Sequence, residues 1–229
     1  MNPYLLILIK LSACFLALFA VAELLHRFAG VKAERTRKLV HIGTGLLTLL
    51  FPLYFDTSWQ VAVICVAFLV ILWTSARWGF LPSVNNIDRK SAGSLLYPVV
   101  VIVVFAFYEY MMACATLFNP LLYFYLPILS MAIGDPVAAI AGGGMQGGIV
   151  GRKTNRGTWG FFIVVSIVAF LLMLCFNNGD SSVGLLLLYA LPLAAATAII
   201  ERVTGGGWDN FTIPVVACVY LWVLSKLLV

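Results

Sequence analysis

Leu121-Leu-Tyr-Phe-Tyr-Leu-Pro-Ile-Leu-Ser-Met-Ala-Ile-Gly-Asp-Pro-Val-Ala-Ala-Ile-Ala141 is long enough to cross a bilayer as a helix, and Asp135 is its single charge. Such a helix needs about 20 mostly apolar residues. An ionised carboxylate at its centre costs roughly 2.5–3.5 kcal/mol on insertion scales, so it faces a cavity, an ion or a partner. Pro136 reads as a helix breaker beside the acid, and Gly142, Gly143, Gly144, Gly147, Gly148 and Gly151 lead on to Arg152 and Lys153. An acid, a pliant backbone and a cationic pair in series are the parts needed to hold a metal and a phosphate.

Working outward, the same apolar character recurs. Of the 229 residues, 63% are hydrophobic and 10% charged, against about 45–50% and about 25% in soluble domains. A chain this short has no interior large enough to hide so much apolar surface. About eight spanning runs follow: Tyr4–Leu25, Leu39–Phe55, Trp59–Ala76, Ser94–Met112, Leu121–Ala141, Trp159–Phe176, Val183–Ile200 and Phe211–Leu228. They are continuously apolar rather than alternating, which favours helices over a barrel. The expected architecture is an all-α, polytopic membrane protein forming one domain over residues 1–229.

All basic residues except Lys10 and Lys226 fall on alternate connections: His26–Lys38, Arg77–Gly93, Gly142–Gly157 and the turn holding Arg202. The positive-inside rule then puts these loops, and with them an active face, in the cytoplasm, with both termini outside. The net charge of +5 reads as topology and attraction to anionic membrane lipids rather than nucleic-acid binding. Cys14, Cys65, Cys114, Cys175 and Cys218 form no CxxC pair and read as packing residues. The first apolar run carries Lys10 and lacks a basic leader, which reads as a retained helix rather than a signal peptide.

Four polar clusters border the cytoplasmic ends. In Arg35-Thr-Arg-Lys-Leu-Val-His41, both Arg37 and Lys38 share a helical face with His41. This is a phosphate or headgroup patch, or a topogenic cluster with an interfacial histidine. Arg89 and Lys90 supply donors for phosphate oxygens, and Ser91 and Ser94 are placed to cap the next helix. Gly151-Arg-Lys-Thr154 is not a phosphate-binding loop of the GxxxxGK[ST] kind, because Arg152 separates the glycine from Lys153. Gly143/Gly147 and Gly144/Gly148, four apart, also suit close helix packing. In Glu201-Arg-Val-Thr-Gly-Gly-Gly-Trp-Asp-Asn210 the glycines let Glu201 return towards Asp209 and Asn210. Two carboxylates and an amide oxygen form a hard donor set suited to Mg²⁺, or a plain reverse turn.

In order along the chain, these residues resemble the polyprenol kinase family (phytol, farnesol and, more distantly, dolichol kinases). That group lies within a CTP-using membrane superfamily that includes phosphatidate cytidylyltransferases. Arg37-Lys38-Leu-Val-His41 resembles its R-K-x-x-H signature. Arg89, Gly93-Ser94 and Tyr97-Pro98 resemble R-x-x-x-G-S-x-x-Y-P. Gly134-Asp135 matches a G-D pair, and Gly151-Arg152 a G-R pair. Lys153-Thr-Asn-Arg-Gly-Thr158 resembles K-[ST]-x-x-G-[ST], and Glu201 with Asp209-Asn210-Phe-Thr-Ile-Pro214 resembles E…D-N-x-x-x-P. The chain departs from the G-D-G-x-A-D of phytol kinases, with Pro136 and Ala139 in place of the second glycine and aspartate.

The resemblance implies γ-phosphoryl transfer from CTP, a nucleoside triphosphate, to an isoprenoid alcohol with Mg²⁺. It implies Asp135, Lys153 and Glu201 as catalytic residues. Gly134, Arg89, Arg152, Thr158, Asn210 and His41 are then nucleotide-binding, and Asp135, Asp209 and Glu201 metal-binding. Two other readings fit the same residues. One is a cytidylyltransferase making a CDP-lipid, which the Gly205-Gly-Gly-Trp-Asp209 turn faintly echoes. The other is a transporter with Asp135 as its ion site on a broken helix.

Overall fold

The computed structural model describes residues 3–85, 91–143, 153–179 and 181–228. Among them lie ten helices and no strand: α1 Pro3–Arg27, α2 Ala33–Thr48, α3 Phe51–Tyr54, α4 Ser58–Trp78, α5 Pro82–Asn85, α6 Gly93–Met112, α7 Leu122–Ala141, α8 Asn155–Cys175, α9 Val183–Val203 and α10 Asp209–Leu228. Seven of these (α1, α4 and α6–α10) are long and apolar enough to cross a membrane. The protein is an all-α integral membrane protein.

The remaining expected span, Leu39–Phe55, is divided. Its first part belongs to α2, which starts earlier, at Ala33, and carries the basic residues into the protein; Pro52 then opens the four-residue α3. Leu49 and Leu50 between them keep right-handed helical angles, so the two pieces share one path. Pro136 does not break α7, which continues to Ala141 and also passes Pro127. Within membranes, neighbouring helices make such prolines tolerable.

Each spanning helix shows one face inwards and one to lipid. On α8, Phe161, Val165, Ala169 and Met173 are buried at a spacing of four, while Ile163, Ile167, Leu171 and Leu174 are exposed. Both faces are apolar because lipid is as hydrophobic as the interior, so packing shape rather than water exclusion selects the buried face.

α7 is the central helix, in contact with α2, α6, α8 and α10. Small residues set these approaches. A Cβ on Gly45 of α2 would lie 2.3 Å from the Ala132 Cβ, one on Gly134 would lie 2.5 Å from the Phe161 ring, and one on Gly160 of α8 would lie 2.7 Å from the Ala141 Cβ. A second close approach joins the start of α6 to the glycine turn before α10. Gly207 has φ +88°, and a Cβ there would sit 2.3 Å from the Gly93 nitrogen. The Ala92 N–H donates to the Gly206 carbonyl at 2.8 Å. These contacts gather the starts of α2, α6, α8 and α10 and the ends of α7 and α9 at one end of the bundle.

Candidate functional site

At that end, five charged side chains from separate segments converge. Lys38 of α2 donates to Asp135 Oδ2 of α7 at 2.5 Å. Lys153, just before α8, donates to Glu201 of α9 and, at 2.9 Å, to Asp209 Oδ2 of α10. The sequence expectation that the glycine turn returns Asp209 towards Glu201 is met, with one ammonium group shared between them. Lys38, Glu201 and Asp209 are all buried. Burial alone would lower the Lys153 pKa, but Asp209 and Glu201, with a further contribution from Asp135, outweigh it and raise the value. Lys153 is therefore an ammonium at neutral pH. Among the described residues, three carboxylates and two ammonium groups meet here, and Arg37 lines the adjoining cavity.

His41, one turn beyond Lys38, is buried with Nε2 3.2 Å from the Met131 carbonyl and its ring edge-on to Tyr97 at 5.1 Å. The same Gly45–Ala132 approach that brings α2 to α7 positions both Lys38 and His41. Asn210 spends its amide on the fold, donating Nδ2 to the Gly93 carbonyl at 3.0 Å. Thr154 caps α8 by accepting the Gly157 N–H at 3.1 Å. Thr158 follows one turn later and accepts from Arg202 at 3.2 Å. Ser91, rather than capping α6 from the N-cap position, accepts from Gly93 N–H and from Arg37, each at 3.3 Å. Gly134 lies against Phe161.

An elongated cavity leads away from the charged cluster. Lys38, His41, Asp135, Asp209 and Asn210 line its polar end, and Phe15, Phe51, Ile64 and Phe68 line its other end. Glu201 and Lys153 are not in its wall; they stand behind Asp209.

Of the expected site residues, Asp135, Lys153, Glu201, Asp209, Asn210 and His41 are thus brought to one end of the bundle. Thr158 stands at the edge of this group. Arg89 and Arg152 lie outside the described residues. Among the described residues, no group of three His, Cys, Asp or Glu side chains is close enough to hold a metal together. Glu201 and Asp209 form a pair through Lys153, while Asp135 is engaged by Lys38. Lys38, which the sequence offers only as part of a cationic patch, is the cation that engages Asp135. Its signal was the unmatched carboxylate of Asp135, which required a buried cation, and Lys38 lies one turn before His41 on the same helix face.

No family model matches the chain, and no solved structure matches it. A curated phytol kinase from Synechocystis sp. is 31% identical over 227 residues, covering 96% of this chain and 93% of the relative. Agreement runs along almost the whole of both chains, and the chain belongs to the phytol kinase family.

Proposed function

We propose that the protein is a Mg²⁺-dependent kinase that transfers the γ-phosphoryl group of CTP to an isoprenoid alcohol. The observation that carries this reading is the polarity of the cavity, charged at one end and aromatic at the other. Such a shape accepts an alcohol with its hydroxyl at the charges and its hydrocarbon among Phe15, Phe51 and Phe68. The related phytol kinase supports an isoprenoid alcohol as the acceptor, and the family resemblance supports CTP as the donor.

The residues fit a nucleotide–Mg²⁺ pair. Mg²⁺ is usually held by one or two carboxylates, with substrate phosphates and water completing its shell. Glu201 and Asp209 would supply those carboxylates. A bound ion would supply charge neutralisation to the substrate phosphates. Lys153, released in part from the two carboxylates, would donate to phosphate oxygens. The starts of α6 and α10, at Gly93 and Asp209, open on the cavity and add the positive ends of their helix dipoles.

In this mechanism the alcohol oxygen forms a bond to the γ-phosphorus as the bond to the β–γ bridging oxygen breaks. The hydroxyl proton passes to Asp135, one of two carboxylates in the cavity wall, and CDP leaves. Lys38 holds Asp135 in place until the alcohol arrives. Phosphoryl transfer draws most of its acceleration from such positioning and charge neutralisation. The polar end faces the cytoplasm in this proposal, which follows from the alternation of basic connections.

The test is label transfer by purified protein in detergent with Mg²⁺, isoprenoid alcohols, diacylglycerol and phosphatidate. Label from γ-labelled CTP in the lipid product is the expected result. Label from the α-phosphorus instead would identify a CDP-lipid product and overturn the kinase reading.

A further inference from the structure

We propose that Phe51, together with Phe15, Ile64 and Val101, forms a closed floor that sets the longest hydrocarbon chain the cavity accepts. The inference rests on the reading of the cavity as a lipid-alcohol site and adds its length selectivity.

Four helices close the far end of the cavity. On the path formed by α2 and α3 the wall includes Lys38, His41, Thr44, Thr48 and Phe51, which follow one another down the helix, beside Arg37 and Val40 at its start. Phe55, one turn further, is buried but outside the wall. On α1, which runs the opposite way, the wall contains Phe19 and Phe15 and stops before Leu11. On α4 it contains Phe68, Cys65 and Ile64 and stops before Val61, which is 0% exposed. On α6 it runs from Gly93 to Val101 and stops before Val104, also 0% exposed.

Beyond the floor the packing is dense. Phe51 meets Phe55 at 5.3 Å and Phe15 at 6.0 Å between ring centroids, and Phe15 meets Phe68 at 5.2 Å. A chain reaching this level finds no continuing groove. At about 1.5 Å of rise per residue, the wall extends about 12 Å along α6 and about 20 Å along α2. With carbon–carbon bonds of about 1.5 Å, each advancing an extended zigzag by about 1.25 Å, a chain of roughly ten to sixteen carbons fills that depth. Interiors packed at crystal-like density do not yield further space without a substitution.

Phe51 is the element of the floor to change, because its ring is the last group on the α2–α3 side. Replacement by Ala opens the floor towards Phe55, and Val101→Phe fills the cavity from the opposite wall. Thermal stabilisation of the detergent-solubilised protein by isoprenoid alcohols of increasing length reads binding without requiring phosphoryl transfer. The wild type is expected to show a length beyond which stabilisation falls. In Phe51→Ala the cut-off moves up by about one isoprene unit, with a gain of about tenfold in affinity for the first excluded alcohol, a fraction of what five newly buried carbons yield. In Val101→Phe, which keeps Phe51, the cut-off moves down. If Phe51→Ala does not fold, Phe51→Leu and Val101→Phe carry the test. An unchanged cut-off in folded variants overturns the floor while leaving the alcohol site standing. Failure of every alcohol to stabilise the wild type overturns both.

Discussion

Lys38 Nζ of α2 lies 2.5 Å from Asp135 Oδ2 of α7, and both side chains are largely withdrawn from solvent. The pair converts two costly charges into one cross-link between helices far apart in sequence. Removing one partner leaves the other ionised in a low-dielectric site, which costs about 3–5 kcal/mol. Replacing both removes the desolvation penalty together with the attraction.

The double variant Lys38→Met/Asp135→Asn is therefore expected to destabilise the protein by less than the sum of the two single variants. A double-mutant cycle on unfolding in detergent measures the coupling. Additive effects would show that the two side chains do not act on one another.

A neighbouring contact controls the same helix pair. A Cβ on Gly45 would stand 2.3 Å from the Ala132 Cβ and 2.9 Å from the Tyr97 hydroxyl, so α2 and α7 must part to admit it. Gly45→Ala is expected to cost about 1–3 kcal/mol. It also moves Lys38 and His41 and lowers turnover. Gly43, two residues away, meets only the flexible end of Leu18, at 2.8 Å. Gly43→Ala is the control, with a smaller loss in both unfolding temperature and turnover. Equal losses would remove the special role of the Gly45 approach.

These contacts mark where sequence reasoning succeeds and stops. The apolar runs identify the spanning helices because length and continuity suffice for that inference. The return of Glu201 towards Asp209 is legible because Gly205–Gly207 permit a tight reversal, and Gly206 and Gly207 do take positive φ. Lys38 is harder to find, because a basic residue near a helix start satisfies the positive-inside rule without any partner. Its burial depends on α2 meeting α7 at Gly45 and Ala132, a pairing that no local pattern announces. Pro136 misleads for a related reason. A missing backbone donor predicts a break in water, whereas α7 is held on several sides by other helices.

Lys153 gives the pH dependence. Burial opposes its charge, but Asp209 and Glu201 raise its pKa above the ordinary 10.5. A raised ammonium contributes stability that is complete below about 10.5 and lost as pH rises through the folded-state value. Unfolding followed between pH 7 and 10 should show no loss from this group, with a decline beginning above that range. Lys153→Met, less stable at neutral pH, is expected to lack this decline. A wild-type and a variant curve that fall in parallel above pH 10.5 would exclude Lys153 as its source. In the labelling assay Lys153→Ala is expected to lose on the order of 10²–10³ in rate, the effect of deleting one donor to developing charge.

Glu201 and Asp209 face one ammonium from two helices, an arrangement a divalent cation with nucleotide phosphates would exploit by taking the place of that ammonium. Ligand binding to the folded state alone stabilises it by about 2.7 kcal/mol at one hundred times its dissociation constant. Mg²⁺ with CTP should therefore raise the unfolding temperature of the wild type, and EDTA should abolish the rise. Glu201→Gln and Asp209→Asn are expected to diminish the Mg²⁺-dependent part while each remains folded. Asp135→Asn should retain that part and lose turnover, because Asp135 acts on the alcohol in the proposed mechanism. The reverse pattern, with the Mg²⁺ effect lost only in Asp135→Asn, would move the metal to Asp135 and leave Glu201 and Asp209 as the counter-charges that hold Lys153.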